Sequence, residues 1–509
     1  MDILDCLANL SNDEVFTSPA IANRMLDTLP DTLWSDPNAK FLDPFTKSGV
    51  FLREIAKRLM QGLATAIPDR QARLDHILGQ QLYGIAITQL TALTARRTLY
   101  CNKDTTELAH CLTDVFAQQG NPDGNIYFEP CEHTFVKGKC TYCGATEREF
   151  GAEQRSALEQ HAYLFIHNKN PYKEMQFDVI IGNPPYQMSD GSGGSSDSAV
   201  PIYNKFVEQA IMLNPRYLCM IIPSKWMVGG RGLKKFRENM VENKKIKILY
   251  DFENSKDCFP GQNLDGGVCY FLLDREYKGE TDYIFRSNDG EEIKSKRFLK
   301  NNYFEYIIRN NRVLSIIEES SSEESFSKIV SQVRPYGIRG FLFNTPERYP
   351  NSNLSFKPFE KALKIYGVKG IKGGAKRIIG YISRDIVTNG FDSIDKYKLF
   401  FTTSYSTNAI NPPEIIKAQP NEICTETFLL VGPFDTENEQ LNCLKYMNTK
   451  FFKFLLYLGK GTMHVTKSVF GLIPLQDFTE EWTDEKLYRK YGLTAEEIAY
   501  IEKMVRPME

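Results

Sequence analysis

A chain of 509 residues is too long for a single ~150-residue domain, so more than one hydrophobic core is expected. Hydrophobic residues make up 42%, charged residues 25% and aromatics 12%, which excludes collagen, wholesale disorder and a disulfide-stapled miniprotein. The formal charge of −2 argues against a uniformly basic nucleic-acid binder, yet the charges segregate: Ser331 to Asp385 carries eleven Lys and Arg against three Asp and Glu, Lys225 to Lys247 eight against two, and Asp477 to Glu509 five against nine.

No run approaches the ~20 apolar residues of a membrane span, and Met1 to Leu10 carries Asp2 and Asp5 where a signal peptide would be basic. A cytoplasmic protein with no membrane partner is therefore expected. Eleven cysteines, most set singly among apolar residues as Cys219 and Cys269 are, indicate reduced thiols.

Along the chain, Phe41-Leu42 reads as a buried strand, Asp43 to Gly49 as a polar turn, and Phe51, Leu52, Ile55 and Leu59 as one face of a helix. Leu82 to Ile87 is a second apolar run, followed by a helical pattern through Leu99. Further strands are expected at Phe177 to Ile181, Tyr217 to Ile222, Ile246 to Phe252 and Val268 to Leu273, with helices at Tyr203 to Leu213 and Leu233 to Glu242. This alternation predicts a mostly parallel α/β sheet. Asp190 to Ser198 reads as a mobile loop and Ser320 to Ser327 as a flexible connector. After Asp274 the pattern turns irregular, with glycines at 367, 370, 373 and 374, which places a domain boundary near residues 275 to 300 and divides the chain into 1–275 and 276–509.

Within the first part, Cys131-Glu132-His133 and Cys140-Thr141-Tyr142-Cys143-Gly144 give the spacing C-x-H-x6-C-x2-C. A C-x2-C followed by glycine is a common zinc knuckle, and Cys131, His133, Cys140 and Cys143 complete a tetrahedral set for structural zinc, with His161 as an alternative fourth ligand. The knuckle would form an insertion over about residues 125–150. His76, His110, His167 and His464 show no such grouping in the sequence.

The most informative stretch is Phe177-Asp178-Val179-Ile180-Ile181-Gly182-Asn183-Pro184-Pro185-Tyr186. A buried strand ends here in an amide, two prolines and an aromatic, at the edge where parallel sheets place their ligands. Pro184 and Pro185 restrict the backbone and bring no amide hydrogens, leaving a rigid row of acceptors. The Asn183 side-chain oxygen and the Pro184 carbonyl can accept both hydrogens of a planar amino group while Tyr186 stacks on its ring. Such an amino group is a poor nucleophile because its lone pair is delocalised; two acceptors pulling on its hydrogens return that pair to nitrogen.

These residues resemble the catalytic motif of the adenine-N6 DNA methyltransferases of restriction-modification systems. Phe41 to Leu52 looks like their cofactor strand and loop, Phe16-Thr17-Ser18-Pro19 like their N-terminal motif, and Ile221 to Ser224 and Cys258-Phe259-Pro260-Gly261 like later motifs. The order is that of the gamma group and of the combined restriction-modification methylases. The resemblance implies a Rossmann-like methyltransferase sheet and a C-terminal mixed α/β target-recognition domain that binds double-stranded DNA. It also implies S-adenosylmethionine across Thr17, Ser18, Asp43, Pro44, Lys47 and Gly49, and a flipped adenine between Tyr186 and Phe259. A separate nuclease or helicase subunit is an expected partner; Glu292-Ile293-Lys294 has a nuclease-like spacing too common to count.

Two departures stand out. Lys47 replaces a small residue in the cofactor loop, and Ala86 ends the second strand where the family has an acid for the ribose. Thr88 or Gln89 would then supply that contact, and Asp114 and Glu129 compete for the cofactor's adenine. The rival readings are an RNA adenine or protein-glutamine methyltransferase, and a DNA-recognition subunit with a decayed cofactor pocket.

Overall fold

A computed structural model describes residues 16–147, 163–167, 169–188, 200–230, 232–300, 306–310, 317, 323–371, 374–406, 409–460 and 462–505. The expected mobile loop at Asp190 to Ser198, the acidic start of the chain and His161 lie outside the described residues. Contacts divide the chain into two compact units, the first ending at residues 301–307 and the second running to residue 509.

In the first unit the expected strands and helices fall where the apolar runs put them, and elements at Pro19–Leu26, Ile126–Tyr127, Thr281–Arg286 and Glu292–Arg297, which no run announced, join them. They are α1 (Pro19–Leu26), β1 (Phe41–Thr46), α2 (Val50–Gly62), β2 (Leu82–Ala86), α3 (Gln89–Tyr100), β3 (Ile126–Tyr127) and β4 (Val179–Gly182). There follow α4 (Tyr203–Met212), β5 (Tyr217–Pro223), α5 (Lys234–Glu242), β6 (Ile246–Phe252), β7 (Val268–Asp274), β8 (Thr281–Arg286) and β9 (Glu292–Arg297). One nine-stranded sheet orders them β9-β8-β6-β7-β5-β4-β1-β2-β3. Strands β3, β2, β1, β4 and β5 run parallel, and β7 is inserted antiparallel between β5 and β6. The central strands are buried along their whole length, as strands covered on both faces must be.

Hairpin β8–β9 carries the sheet beyond Asp274, where the irregular composition begins. The last strand alternates exposed and half-buried residues, the pattern of an edge with no second face to bury. The first unit therefore extends past residue 275 and into the stretch where the change in composition places the boundary. Glu292 of the E-x-K tripeptide lies on this edge strand, where it accepts from the Tyr250 hydroxyl and pairs with Arg286.

The second unit holds two small sheets. The first consists of β10 (Leu363–Ile371), β11 (Gly374–Ile382) and β14 (Glu422–Cys424) in the order β11-β10-β14. The second consists of β12 (Tyr397–Thr402), β13 (Ile416–Ala418) and β15 (Phe428–Phe434) in the order β13-β12-β15. Helices α6 (Glu437–Asn448), α7 (Lys450–Gly459), α8 (Asp484–Lys490) and α9 (Ala495–Met504) complete it. Among the glycines that made β10 and β11 read as irregular, Gly367 has a packing role: a Cβ there would lie 2.3 Å from the Phe343 ring, so the strand keeps glycine to admit that ring. Ser320 to Ser327 is not a flexible connector over its described part. Phe326 is fully buried among Tyr446, Phe452, Phe470 and Phe478, and its amide donates to the Ile473 carbonyl at 2.7 Å. One buried aromatic outweighs the serines around it.

Among the described residues no helix is long and apolar enough to cross a membrane.

Helix α1 buries Ile21, Ala22, Met25 and Leu26 in the core, and polar contacts add to that packing. The buried Glu54 carboxylate of α2 accepts from Asn23 of α1 at 3.0 Å and pairs with Arg53 at 2.8 Å and Lys57 at 2.9 Å, while Arg24 lies over the Tyr250 ring at 4.7 Å. Burial raises the Glu54 pKa, but the bonds from Lys57, Asn23 and Arg53 outweigh it, and the net shift is downward from 4.5. A depressed folded pKa stabilises the fold above the unfolded value and ceases to do so as pH falls through the folded one. Glu54→Gln should therefore melt earlier than the parent above pH 4.5, with the difference vanishing in more acid buffer; thermal melts across pH check this.

Candidate active site

The carboxyl ends of β1 and β4, adjacent and parallel, bring the cofactor loop beside the Asn-Pro-Pro-Tyr stretch. Glycine makes the approach possible. A Cβ on Gly182 would lie 2.6 Å from the Phe45 ring and 2.8 Å from Asp43 Oδ1, so only a residue without a side chain fits between them. Gly49 is constrained twice over: its φ of +76° is left-handed, and a Cβ there would meet the Ala95 backbone of α3 at 3.1 Å. It opens α2, whose first amides face the loop.

Asp43 is buried and accepts from the Phe45 amide at 3.2 Å. Burial raises its carboxyl to about 7, against the lowering effects of the Phe45 amide, the Thr46 hydroxyl and the Lys47 charge. A carboxyl held that high gains from a cationic partner, and the α-ammonium of an amino-acid ligand is one. Pro44 sits within β1, and Lys47 is 8% exposed, so this lysine does not face solvent. Ser18 acts as the N-cap of α1, its Oγ accepting the Ile21 amide at 3.4 Å.

Thr17 is buried and touches the catalytic motif directly: Asn183 Nδ2 donates to Thr17 Oγ1 at 3.1 Å. An amide whose nitrogen is committed on one side turns its oxygen to the other. The motif sequence gives no hint of this contact, because the two residues are 166 positions apart.

Tyr186 and Phe259 are both buried, at 8% and 3% exposure. Burial pushes the Tyr186 phenol well above its ordinary range, and the Cys258 and Cys269 thiols add to the shift, which brings the loop carrying Phe259 into the same neighbourhood. Behind it, Asp251 accepts from Ser224 at 2.6 Å and from Tyr283 at 2.8 Å, tying the end of β5 to β6 and β8. Asp251 and Tyr283 give no signal in the sequence.

Around the ribose gap, Ala86 is buried at the end of β2. Thr88 is engaged in a reciprocal cap with Thr91, whereas Gln89 is exposed beside it. Asp114 precedes β3 and accepts from Gln118; Glu129 follows the carboxyl end of β3 and accepts from Tyr127 at 2.6 Å. By position on the sheet, Glu129 is the better placed of the two.

In the insertion, His133, Cys140 and Cys143 come together as the spacing predicts, but Cys131 does not join them. Its place is taken by His167, and the ligand atoms of these four lie within 4.8 Å of one another. Cys131 is buried and its thiol turns to the Glu132 carbonyl at 3.7 Å. A histidine 27 residues from Cys140 leaves no trace in motif spacing, since the chain's path back to the knuckle decides the contact.

With this geometry in place, the relatives can be set beside it. The Eco57I restriction-modification methylase family matches residues 80–259. An uncharacterized adenine-specific methylase of Mycoplasma pneumoniae is 39% identical over 355 residues, 65% of this chain and 83% of that protein. The type II restriction enzyme and methyltransferase RM.Eco57I of Escherichia coli is 30% identical over 129 residues, 22% of this chain and 12% of that one. Among solved structures, the type IIL restriction-modification enzyme MmeI in complex with DNA aligns with a TM-score of 0.47 at 13% identity, covering 90% of this chain and 67% of that one. A nuclease-deletion mutant of the type ISP enzyme LlaGI aligns at 0.49 and 10% identity, covering 91% and 54%. Both scores fall below 0.5, and the assignment rests on the sequence relatives. The chain belongs to the adenine-specific methylases of restriction-modification type. Within that class it carries the Eco57I-type methylase domain and is an adenine-specific methyltransferase.

If Thr17 sets the orientation of the Asn183 amide, Thr17→Val, which keeps the shape and removes the acceptor, should lower the methylation rate roughly five- to tenfold, about the worth of one neutral hydrogen bond. Single-turnover assays against thermal melts check that the loss is not one of folding.

Proposed function

We propose that this protein methylates the N6 amino group of adenine within a specific site in duplex DNA, as the modification component of a restriction-modification or phage-defence system. The observation that carries the reading is the Asn183 amide, fixed by Thr17 at the end of β4 and followed by two prolines, beside the buried Asp43 loop. S-adenosylmethionine supplies a methyl group activated on a sulfonium. Asp43 would hold its ammonium, Lys47 its carboxylate, and Gly49 with the first amides of α2 would allow close approach. Gln89 is the residue left to meet the ribose.

The flipped adenine would take a place between Tyr186 and Phe259, its amino hydrogens accepted by Asn183 Oδ1 and the Pro184 carbonyl. As the nitrogen lone pair forms the new N–C bond, the C–S bond breaks with its electrons going to sulfur, and the surplus proton leaves nitrogen through these acceptors to water. No covalent enzyme intermediate is needed, so positioning and electrostatics do the catalysis. Structural zinc in the cysteine-rich insertion belongs to the same reading, outside the reaction.

For DNA contact, we assign hairpin β10–β11 of the second unit. Lys369 and Lys376 are exposed and directly opposite each other in the register, where like charges repel unless an anion lies between them. Arg377 nearby is paired with Glu414 at 3.2 Å, and Lys372 lies outside the described residues. A nuclease or helicase subunit is proposed as the restricting partner.

Asn183→Ala should cut methyl transfer by roughly a hundredfold or more, while S-adenosylmethionine and DNA affinities stay within a few-fold, since the lost contact acts mainly in the transition state. Labelled-methyl assays on DNA, RNA and protein, with long-read sequencing of methylated host DNA, test substrate and site together; transfer to RNA or protein alone would overturn the reading. Replacing Lys369 and Lys376 together by alanine should weaken DNA binding and reduce the slope of log affinity against log salt by roughly one to two. An unchanged slope would place the phosphates elsewhere.

A further inference from the structure

Four side chains that the methyl-transfer reaction does not use meet in the insertion. Cys140 Sγ lies 3.5 Å from His167 Nε2, and Cys143 Sγ lies 3.3 Å from His133 Nδ1. Tetrahedral zinc, with bonds of about 2.3 Å to sulfur and about 2.0 Å to nitrogen, requires S···N edges near 3.5 Å, and both edges have that length. The His167 ring is oriented for the task. Its Nδ1 lies 2.7 Å from the Tyr163 carbonyl, which can only accept, so the proton sits on Nδ1 and the lone pair of Nε2 faces the sulfurs. The Ala145 amide donates to Cys143 Sγ at 3.5 Å, and Gly144 takes the left-handed φ of +84° that this turn needs. The knuckle's strands, Phe135–Val136 and Lys139–Cys140, are only two residues each, too short to be stable by pairing alone. Three of the four side chains are buried, so a metal bound by all of them would be closed to substrate.

His167 is the ligand that reaches out of the knuckle. It ends a turn that carries Phe165, a buried ring set edge-on against Phe45 at 5.9 Å and parallel to Phe206 of α4 at 6.4 Å. Phe45 in turn gives its amide to Asp43 and its ring to the space over Gly182. A metal held by His167 therefore stands two residues from the side chain that backs the cofactor loop.

We infer that His133, Cys140, Cys143 and His167 form a closed zinc site whose fourth ligand fastens the Phe165 turn against Phe45, so that S-adenosylmethionine affinity depends on zinc. The metal site stands on its own geometry; its effect on affinity rests on the cofactor reading given above.

Elemental analysis of the freshly purified full chain should find about one zinc per chain. Calorimetric titration with S-adenosylmethionine should give a dissociation constant roughly tenfold higher after chelation, restored by added zinc. His167→Ala should lose zinc and affinity together, whereas Cys131→Ser should keep both. Should His167→Ala fail to fold, Phe165→Ala provides the second test: it should retain zinc and still bind S-adenosylmethionine more weakly. Fresh protein lacking zinc, or loss of zinc in Cys131→Ser with retention in His167→Ala, overturns the metal site. Full zinc content with affinity unchanged by chelation overturns the coupling alone. A zinc-loaded parent that binds no S-adenosylmethionine overturns the cofactor reading and the coupling with it, while its zinc content still decides the metal site.

Discussion

The close approach of β1 and β4 at their carboxyl ends is the constraint on which the rest of the site depends. Neighbouring parallel strands normally end in side chains that keep the following loops apart, and here the missing Cβ of Gly182 lets the Phe45 ring and the Asp43 carboxylate lie against the strand. The side chains that the proposed chemistry would use are then drawn to one edge of the sheet. Asp43 and Lys47 lie on one side, Asn183 on the other, and Thr17 closes the gap by accepting from the Asn183 amide. The buried state of Asp43, Lys47, Thr17 and Asn183 follows from that approach and gives their charges and dipoles weight that water would remove.

The ordering of the sheet explains why residues so distant in the chain can cooperate. Parallel strands place all their carboxyl ends on one edge, so β1, β2, β4 and β5 deliver Asp43, Ala86, Asn183 and Ser224 to the same side. Helix α1 adds the N-terminal motif from outside; it buries Ile21, Ala22, Met25 and Leu26, and Glu54, Asn23 and Arg24 add hydrogen bonds and a ring contact to that apolar packing. The antiparallel β7 serves a different end: it brings the chain back so that the Cys258-Phe259 loop precedes it beside Tyr186.

Much of this was legible in the sequence, because buried strands write themselves as apolar runs and helices as one-sided periodicity. The Asn-Pro-Pro-Tyr stretch stood out as a candidate because two prolines after a strand have few other uses. What the sequence concealed were contacts that depend on where the chain returns. His167 reaches the knuckle through folding and not through spacing, and Thr17 meets Asn183 across the sheet. The edge strand β9 was hidden because it is mostly charged and nowhere more than half-buried, so its alternation has almost no apolar side, and β10–β11 because Gly367 and Gly380 give way to the Phe343 ring. The buried Phe326 was masked by the serines around it.

The degree of burial at the site bears on why the chain has a second unit at all. Asn183, Tyr186 and Phe259 are 4%, 8% and 3% exposed, so on the proposed reading an adenine would enter only by leaving its own stack and displacing contacts that already cover these rings. Unstacking and unpairing a base costs a few kcal/mol before any methyl contact is made. On that reading the three residues could not offset that cost and still discriminate one sequence from another, since contacts to a flipped adenine would be the same at every site. The offset has to come from outside the pocket, through phosphate and groove contacts that persist while the base is out. An overall charge of −2 could not supply them if it were spread evenly. Segregation of lysines onto an exposed hairpin could, and on the proposed reading it would separate the function of holding DNA from that of methylating it.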